Sequence, residues 1–169
     1  EVKPFHRFDL KETDARVEID SLDRKILGEL TKNARAPLTT IASSIQSYPK
    51  MVSERVKRME KNGLLAGYRP IIHYDKIGLT YYKVFFHLTF DDAKVISQLE
   101  EYLVNHPDVL FIVHGIGMDG NLDIELLAES NNAFFAFITQ LREKFPHLIG
   151  DYKYLILTQF LKVKYLPFV

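Results

Sequence analysis

The sequence predicts an α+β chain in two modules: three short helices with an extended wing, then a β-α-β-β-α-β unit. Three observations carry this expectation. Apolar residues recur at helical spacing from residue 20 to residue 62, then give way to β-branched and aromatic runs. Hydrophobic residues make up 47% and charged residues 26%, enough apolar surface for packed cores. Charge also divides along the chain. Glu18 to Lys76 hold 11 basic and 7 acidic residues, whereas Ile77 to Val169 hold 7 basic and 11 acidic. A formal net charge of zero therefore hides a basic half and an acidic half, as two modules with different partners would have.

Residues 1–17, with four basic and four acidic side chains, lack a sustained period and read as a tail or linker. The first module is expected over 18–76. Leu22, Ile26, Leu27 and Leu30 fall on one helical face, and Asp20 or Ser21 can cap its N-terminus by accepting from first-turn amides. Asn33 to Pro37 breaks this helix, and Leu38, Ile41, Ala42 and Ile45 form the apolar face of a second. Gln46 to Tyr48 make a turn. Pro49 suits the first turn of a third helix, where its missing N–H is no loss, and Gly63 suits a left-handed C-cap. LLAGYRPIIHYD, punctuated by Gly67 and Pro70, reads as a wing or hairpin. A tight turn between the second and third helices, followed by a wing, predicts a winged helix-turn-helix.

The second module is expected over 77–169. YYKVFFHLTF (81–90), VLFIVHGIG (109–117), LDIELLAE (122–129) and KYLILTQFLKVKYL (153–166) read as strands. Ala93 to Asn105 and Asn131 to Lys144 read as helices, the second with Phe134, Phe135, Ile138 and Leu141 inward. That order is the ferredoxin-like one, whose sheet has one face under helices and one open. The open face carries many apolar residues, which suggests that a second subunit buries it.

The segment SYPKMVSERVKRMEKNG holds five basic residues against two acids. With Val52, Val56 and Met59 inward, Lys50, Glu54, Lys57 and Lys61 lie near the opposite face, flanked by Ser53 and Arg58. An isolated helix of this kind is usually a solvated surface. Placed third, after a tight turn and before a wing, it is expected to be a recognition helix. Lysines and arginines there neutralise phosphates and release counterions. Side chains near the helix start read base edges, so Tyr48, Lys50, Met51, Ser53 and Glu54 are candidates, with Lys57, Arg58 and Lys61 as phosphate contacts. Arg55 fits a structural salt bridge to the first helix as well as a phosphate contact. Arg69 in the wing is a further phosphate candidate.

GIGMDGNLD offers glycines and aspartates in a turn. Such a loop can bring backbone amides to an α-carboxylate and an aspartate to an α-ammonium, although a plain hairpin loop has the same composition. No helix opens directly after it, so it is not a dinucleotide motif. Six histidines show no metal-ligand spacing, and the absence of Cys removes disulfides and thiolate chemistry. No nucleophile elbow is present, and neither cofactor nor metal is expected. No apolar run approaches the roughly 20 residues that span a bilayer. A cytoplasmic chain is expected.

LDRKILGELTKNAR, LTTIASSI and SERVKRMEKNGLLAGY, followed by the ferredoxin-like order, resemble the Lrp/AsnC (feast/famine) transcription regulators over residues 19–166. The resemblance implies a DNA-binding, non-enzymatic regulator. Its partners would be double-stranded DNA, a small-molecule effector such as an amino acid, and a second copy of the chain, with higher homo-oligomers possible. It implies effector binding near Gly117, Asp119, Gly120 and Asp123. Two departures stand out. Gln46 occupies a turn position where the family usually has glycine. The family's Gly-x-x-Asp spacing is matched by Gly120 and Asp123, while Gly117 fits better by distance from Val109, so the loop carries about three extra residues. Two alternatives share the architecture: a tetrapyrrole-pathway decarboxylase, for which FIVHGIGMDGNLDIEL supplies only His114, and an interaction module that no longer binds DNA.

Overall fold

A computed structural model describes residues 16–89, 92–114, 120–163, 165 and 166. Among these the chain forms two compact units, one ending at Pro70 and including Val163, Tyr165 and Leu166, the other Ile71–Lys162.

The first unit is built on three helices: α1 (Ser21–Lys32), α2 (Leu38–Ser44) and α3 (Pro49–Lys61). Asp20 caps α1 in a reciprocal box. Its Oδ1 accepts from the Asp23 amide at 2.9 Å, and the Asp20 amide donates to Asp23 Oδ2 at 3.2 Å. The helical apolar faces meet in one core of Ile26, Leu27, Leu30, Ile41, Ala42, Val52, Val56 and Met59. Leu166 packs at its margin, although the sequence places it in a final strand. Gly63 ends α3 at φ 76°, as its sequence position predicts.

The turn after α2 is closed by two bonds. The Gln46 amide donates to the Ser43 carbonyl at 3.3 Å, and the Ser47 amide to the Ala42 carbonyl at 2.8 Å. These are the paired closures of a Schellman motif, which demands a left-handed residue at its pivot. Gln46 takes that role at φ 55°. The expected wing is not a hairpin. Leu64–His73 contains no strand, and Tyr68, Ile71 and Ile72 are exposed. Its apolar residues lack strict alternation, and Gly67 and Pro70 interrupt the run before a strand partner can form. Instead the Leu65 amide bonds back to the Met59 carbonyl, and Tyr68 donates to Glu60.

The second unit contains a short 3-10 turn (Tyr74–Ile77), β1 (Thr80–Leu88), α4 (Ala93–Val104), β2 (Val109–Val113), β3 (Leu122–Ala128), α5 (Asn131–Lys144) and β4 (Ile149–Ile156). The sheet runs β2-β3-β1-β4 with every pairing antiparallel. This is the ferredoxin-like arrangement anticipated from element order. Period-two alternation sends Tyr82, Val84 and Phe86 of β1 and Leu122, Ile124 and Leu126 of β3 to one face. There they pack under Leu99 and Leu103 of α4 and Phe134, Phe137, Ile138 and Leu141 of α5. Tyr82 stacks on Phe134 with ring centroids 4.2 Å apart, and its hydroxyl donates to Asn131.

Two expectations change here. Phe137 rather than Phe135 completes the inward face of α5; Phe135 is exposed and meets Tyr154 edge-on. The last strand starts earlier and ends sooner than its composition predicts. β4 begins where Ile149 can pair with Leu88, and it stops once the Leu157 amide has reached the Tyr81 carbonyl at the start of β1. The partner strand, not the apolar run, sets its length.

Candidate nucleic-acid interface and effector pocket

On α3, burial of Val52, Val56 and Met59 leaves Tyr48, Lys50, Met51, Glu54, Lys57, Arg58 and Lys61 exposed, with Ser53 and Arg55 at the edges. Lys50, Lys57 and Lys61 have no ion-pair partner among the described residues. At 1.5 Å per residue they mark a cationic line about 16 Å long. Glu54 lies within it, and Glu60, the other acid of the segment, is also exposed and accepts from the Tyr68 hydroxyl. Tyr48 precedes Pro49 without a side-chain cap, and no acid stands in the first turn. The positive end of the helix is thus left available to an anion. Arg69 lies on the exposed segment after the helix.

The two arginines of α3 behave differently from its lysines. Arg55 donates to Asp20 Oδ2 at 2.6 Å and to Asp23 Oδ1 at 3.1 Å. Of its two sequence readings, the structural salt bridge is therefore the one formed. These bonds, to Asp20 first and Asp23 second, raise the Arg55 guanidinium above its ordinary value. The Asp23 amide, then Arg55, holds the Asp20 carboxyl below its own. Arg58, expected to face phosphate, donates to Asp23 Oδ2 at 2.5 Å. Asp23 has no solvent exposure. The sequence reading overlooked it, yet the signal was present. Asp23 stands three residues before Ile26 and four before Leu27, on the apolar stripe, and an acid on a buried stripe requires a cationic partner.

The open face of the sheet brings Tyr81, Lys83 and Phe85 of β1 beside Asp123 and Glu125 of β3, with Phe111 and Val113 of β2 and Leu155 of β4 around them. Asp123 is buried. Its Oδ2 lies 3.1 Å from Lys83 Nζ, and its Oδ1 has no hydrogen-bond partner among the described residues. Glu125 accepts from Lys83 at 3.1 Å and from the Tyr81 hydroxyl. Burial by itself would lower Lys83, but Asp123 and Glu125 outweigh it and hold the ammonium above its ordinary value. Gly120 has a backbone reason for being glycine. At φ 142° its Cβ would stand 2.7 Å from the Phe86 carbonyl oxygen, where the next residue, Asn121, bonds β1. Gly117 and Asp119 lie outside the described residues. Among those described, no cluster of His, Asp and Glu could hold a metal, and no helix is long and apolar enough to cross a membrane.

An AsnC-type helix-turn-helix domain matches residues 19–60, which take in the capped start of α1, the Gln46 turn and α3 up to Glu60. A proline dehydrogenase transcriptional activator from Rhodobacter capsulatus is 35% identical over 94 residues, 54% of this chain and 60% of its own. The regulatory protein AsnC of Haemophilus influenzae is 36% identical over 87 residues, 50% of this chain and 58% of its own. The match thus spans about six tenths of those relatives' length. A transcriptional regulator from Neisseria meningitidis, solved as a complex with L-methionine, superposes with a TM-score of 0.79 at 18% identity, over 89% of this chain and 97% of that one. At that identity the likeness carries the fold.

Proposed function

We propose that this chain, which carries an AsnC-type helix-turn-helix domain over residues 19–60, is a cytoplasmic, sequence-specific DNA-binding transcription regulator of the Lrp/AsnC family whose α3 enters the major groove. The observation that carries this reading is the line of exposed lysines, Lys50, Lys57 and Lys61, on a helix held by a tight turn after α2. Tyr48, Lys50, Met51, Ser53 and Glu54 lie at the start of the helix, where base edges are read, and Lys57, Lys61 and Arg69 serve as phosphate contacts. The relatives named above are regulators rather than decarboxylases, which favours this reading over the enzymatic one.

Two copies would join through the open faces of their sheets, burying Phe111, Val113 and Leu155, and so space two α3 helices for successive major grooves. The methionine complex of the Neisseria meningitidis regulator supports an amino-acid effector, and the glycines and aspartates of the loop before β3 are the ground for a site near Gly117, Asp119, Gly120 and Asp123. Such an effector alters DNA affinity only by binding one assembly better than another.

Fluorescence anisotropy with random-sequence duplex DNA over a salt series tests the interface. Binding in the micromolar range that weakens steeply with salt is expected, and Lys57→Ala lowers the log–log slope by about one. Absence of binding at low salt would remove the DNA reading.

A further inference from the structure

We propose that Asp23 is a positioning residue of the DNA interface, locking the rotation of α3 through Arg55 and Arg58, and that these arginines serve carboxylates rather than phosphates. The proposal rests on the DNA-binding reading above. Both oxygens of Asp23 are engaged: Oδ1 by Arg55 at 3.1 Å, Oδ2 by Arg58 at 2.5 Å and by the Asp20 amide at 3.2 Å. The anion has no solvent exposure, so it depends on these partners for compensation. The arginines are three residues apart on α3, nearly one turn, while their shared acceptor belongs to the first turn of α1. The aliphatic contacts of Val52, Val56 and Met59 choose which face of α3 is buried, but such contacts are non-directional. Two charge-assisted hydrogen bonds to one fixed carboxylate are directional, and they set the angle at which Lys50, Lys57 and Lys61 are presented.

The sign of one substitution separates this role from electrostatics alone. Replacing a carboxylate beside a phosphate-binding surface removes repulsion and releases Arg58, while Arg55 keeps its bond to Asp20, so a purely electrostatic role makes Asp23→Asn bind DNA more tightly. A positioning role makes it bind more weakly.

Anisotropy against random-sequence duplex over a salt series, on protein whose circular dichroism at the working temperature matches wild type, reads the difference. Asp23→Asn and Arg58→Ala are each expected to weaken binding on the order of tenfold with the salt slope unchanged, whereas Lys57→Ala lowers the slope by about one. Tighter binding by Asp23→Asn, or unaltered affinity in both folded variants, would overturn the positioning role. A slope lowered by Arg58→Ala as much as by Lys57→Ala would make Arg58 a phosphate contact instead. Should Asp23→Asn fail to fold, Arg58→Ala, altered at a half-exposed side chain, decides the question by its affinity and slope. Wild-type protein that binds no duplex at low salt would end the DNA reading and the positioning role with it. A urea double-mutant cycle on Asp23 and Arg58 tests the tie separately: coupled midpoints are expected, and additive ones would refute it.

Discussion

Gln46→Gly tests the physics of the turn that precedes α3. Gln46 sits at φ 55° with both closing bonds of the motif made, so the backbone there is committed to the left-handed region. A side chain with a Cβ costs roughly 1–2 kcal/mol in that region. Glycine removes this strain but loses more conformational freedom on folding, a penalty of roughly 0.5–1 kcal/mol against alanine. No hydrogen bond of the exposed Gln46 side chain is lost among the described residues. The difference leaves Gln46→Gly about 0.5–1 kcal/mol more stable. In a unit of this size that is a rise of about 2–8 °C in midpoint. Urea and thermal unfolding followed by helical circular dichroism measure it, with Gln46→Ala and Gln46→Asn as controls. Alanine keeps the strain and is expected to give no gain; asparagine, which tolerates the left-handed region better, falls between. Equal or lower stability of the glycine variant would refute the strain argument, and a gain in alanine matching that in glycine would move the cause to the side chain.

Gly120→Ala places a Cβ 2.7 Å from the Phe86 carbonyl oxygen, a backbone atom that cannot turn aside. A loss of about 2 kcal/mol or more is expected by urea denaturation, and wild-type stability would mean that the turn has room to move. Lys83→Met leaves Asp123 and Glu125 without their shared cation. Partial exposure of Lys83 sets the expected loss at about 2–3 kcal/mol, below the range for fully buried pairs. The folded-state value of Lys83 is raised, so its contribution is complete below about pH 10 and disappears as pH rises through the folded value. Wild type should therefore lose more stability on that alkaline limb than Lys83→Met, over and above the loss from Tyr68 and Tyr82 that both share; parallel alkaline profiles would contradict the assignment.

Much of this protein is legible in its sequence because the determinants are local. Helical spacing of apolar residues, Asp20 before α1, Pro49 at the start of α3 and Gly63 after it act within a few residues. They located the three helices and the exposed lysine line without reference to the rest of the chain. Alternation likewise placed β1 and β3, and element order gave the ferredoxin-like topology. Other features depend on partners far along the chain. β4 has the length that β1 can pair with, so its apolar extension towards Leu161 misleads. The extended run after α3 found no strand to pair with and remained irregular. Arg58 looks like its lysine neighbours in sequence, since all carry positive charge on one helix. Only packing set it beside Asp23, 35 residues earlier, where a buried carboxylate requires compensation. Gly120 likewise reads as part of a ligand loop, and the approach of the Phe86 carbonyl supplies its reason. Short-range patterns determine which residues become helix or strand and which face is apolar. The partner of a buried charge and the end of a strand belong to the tertiary structure, because both are set by what stands across the interface.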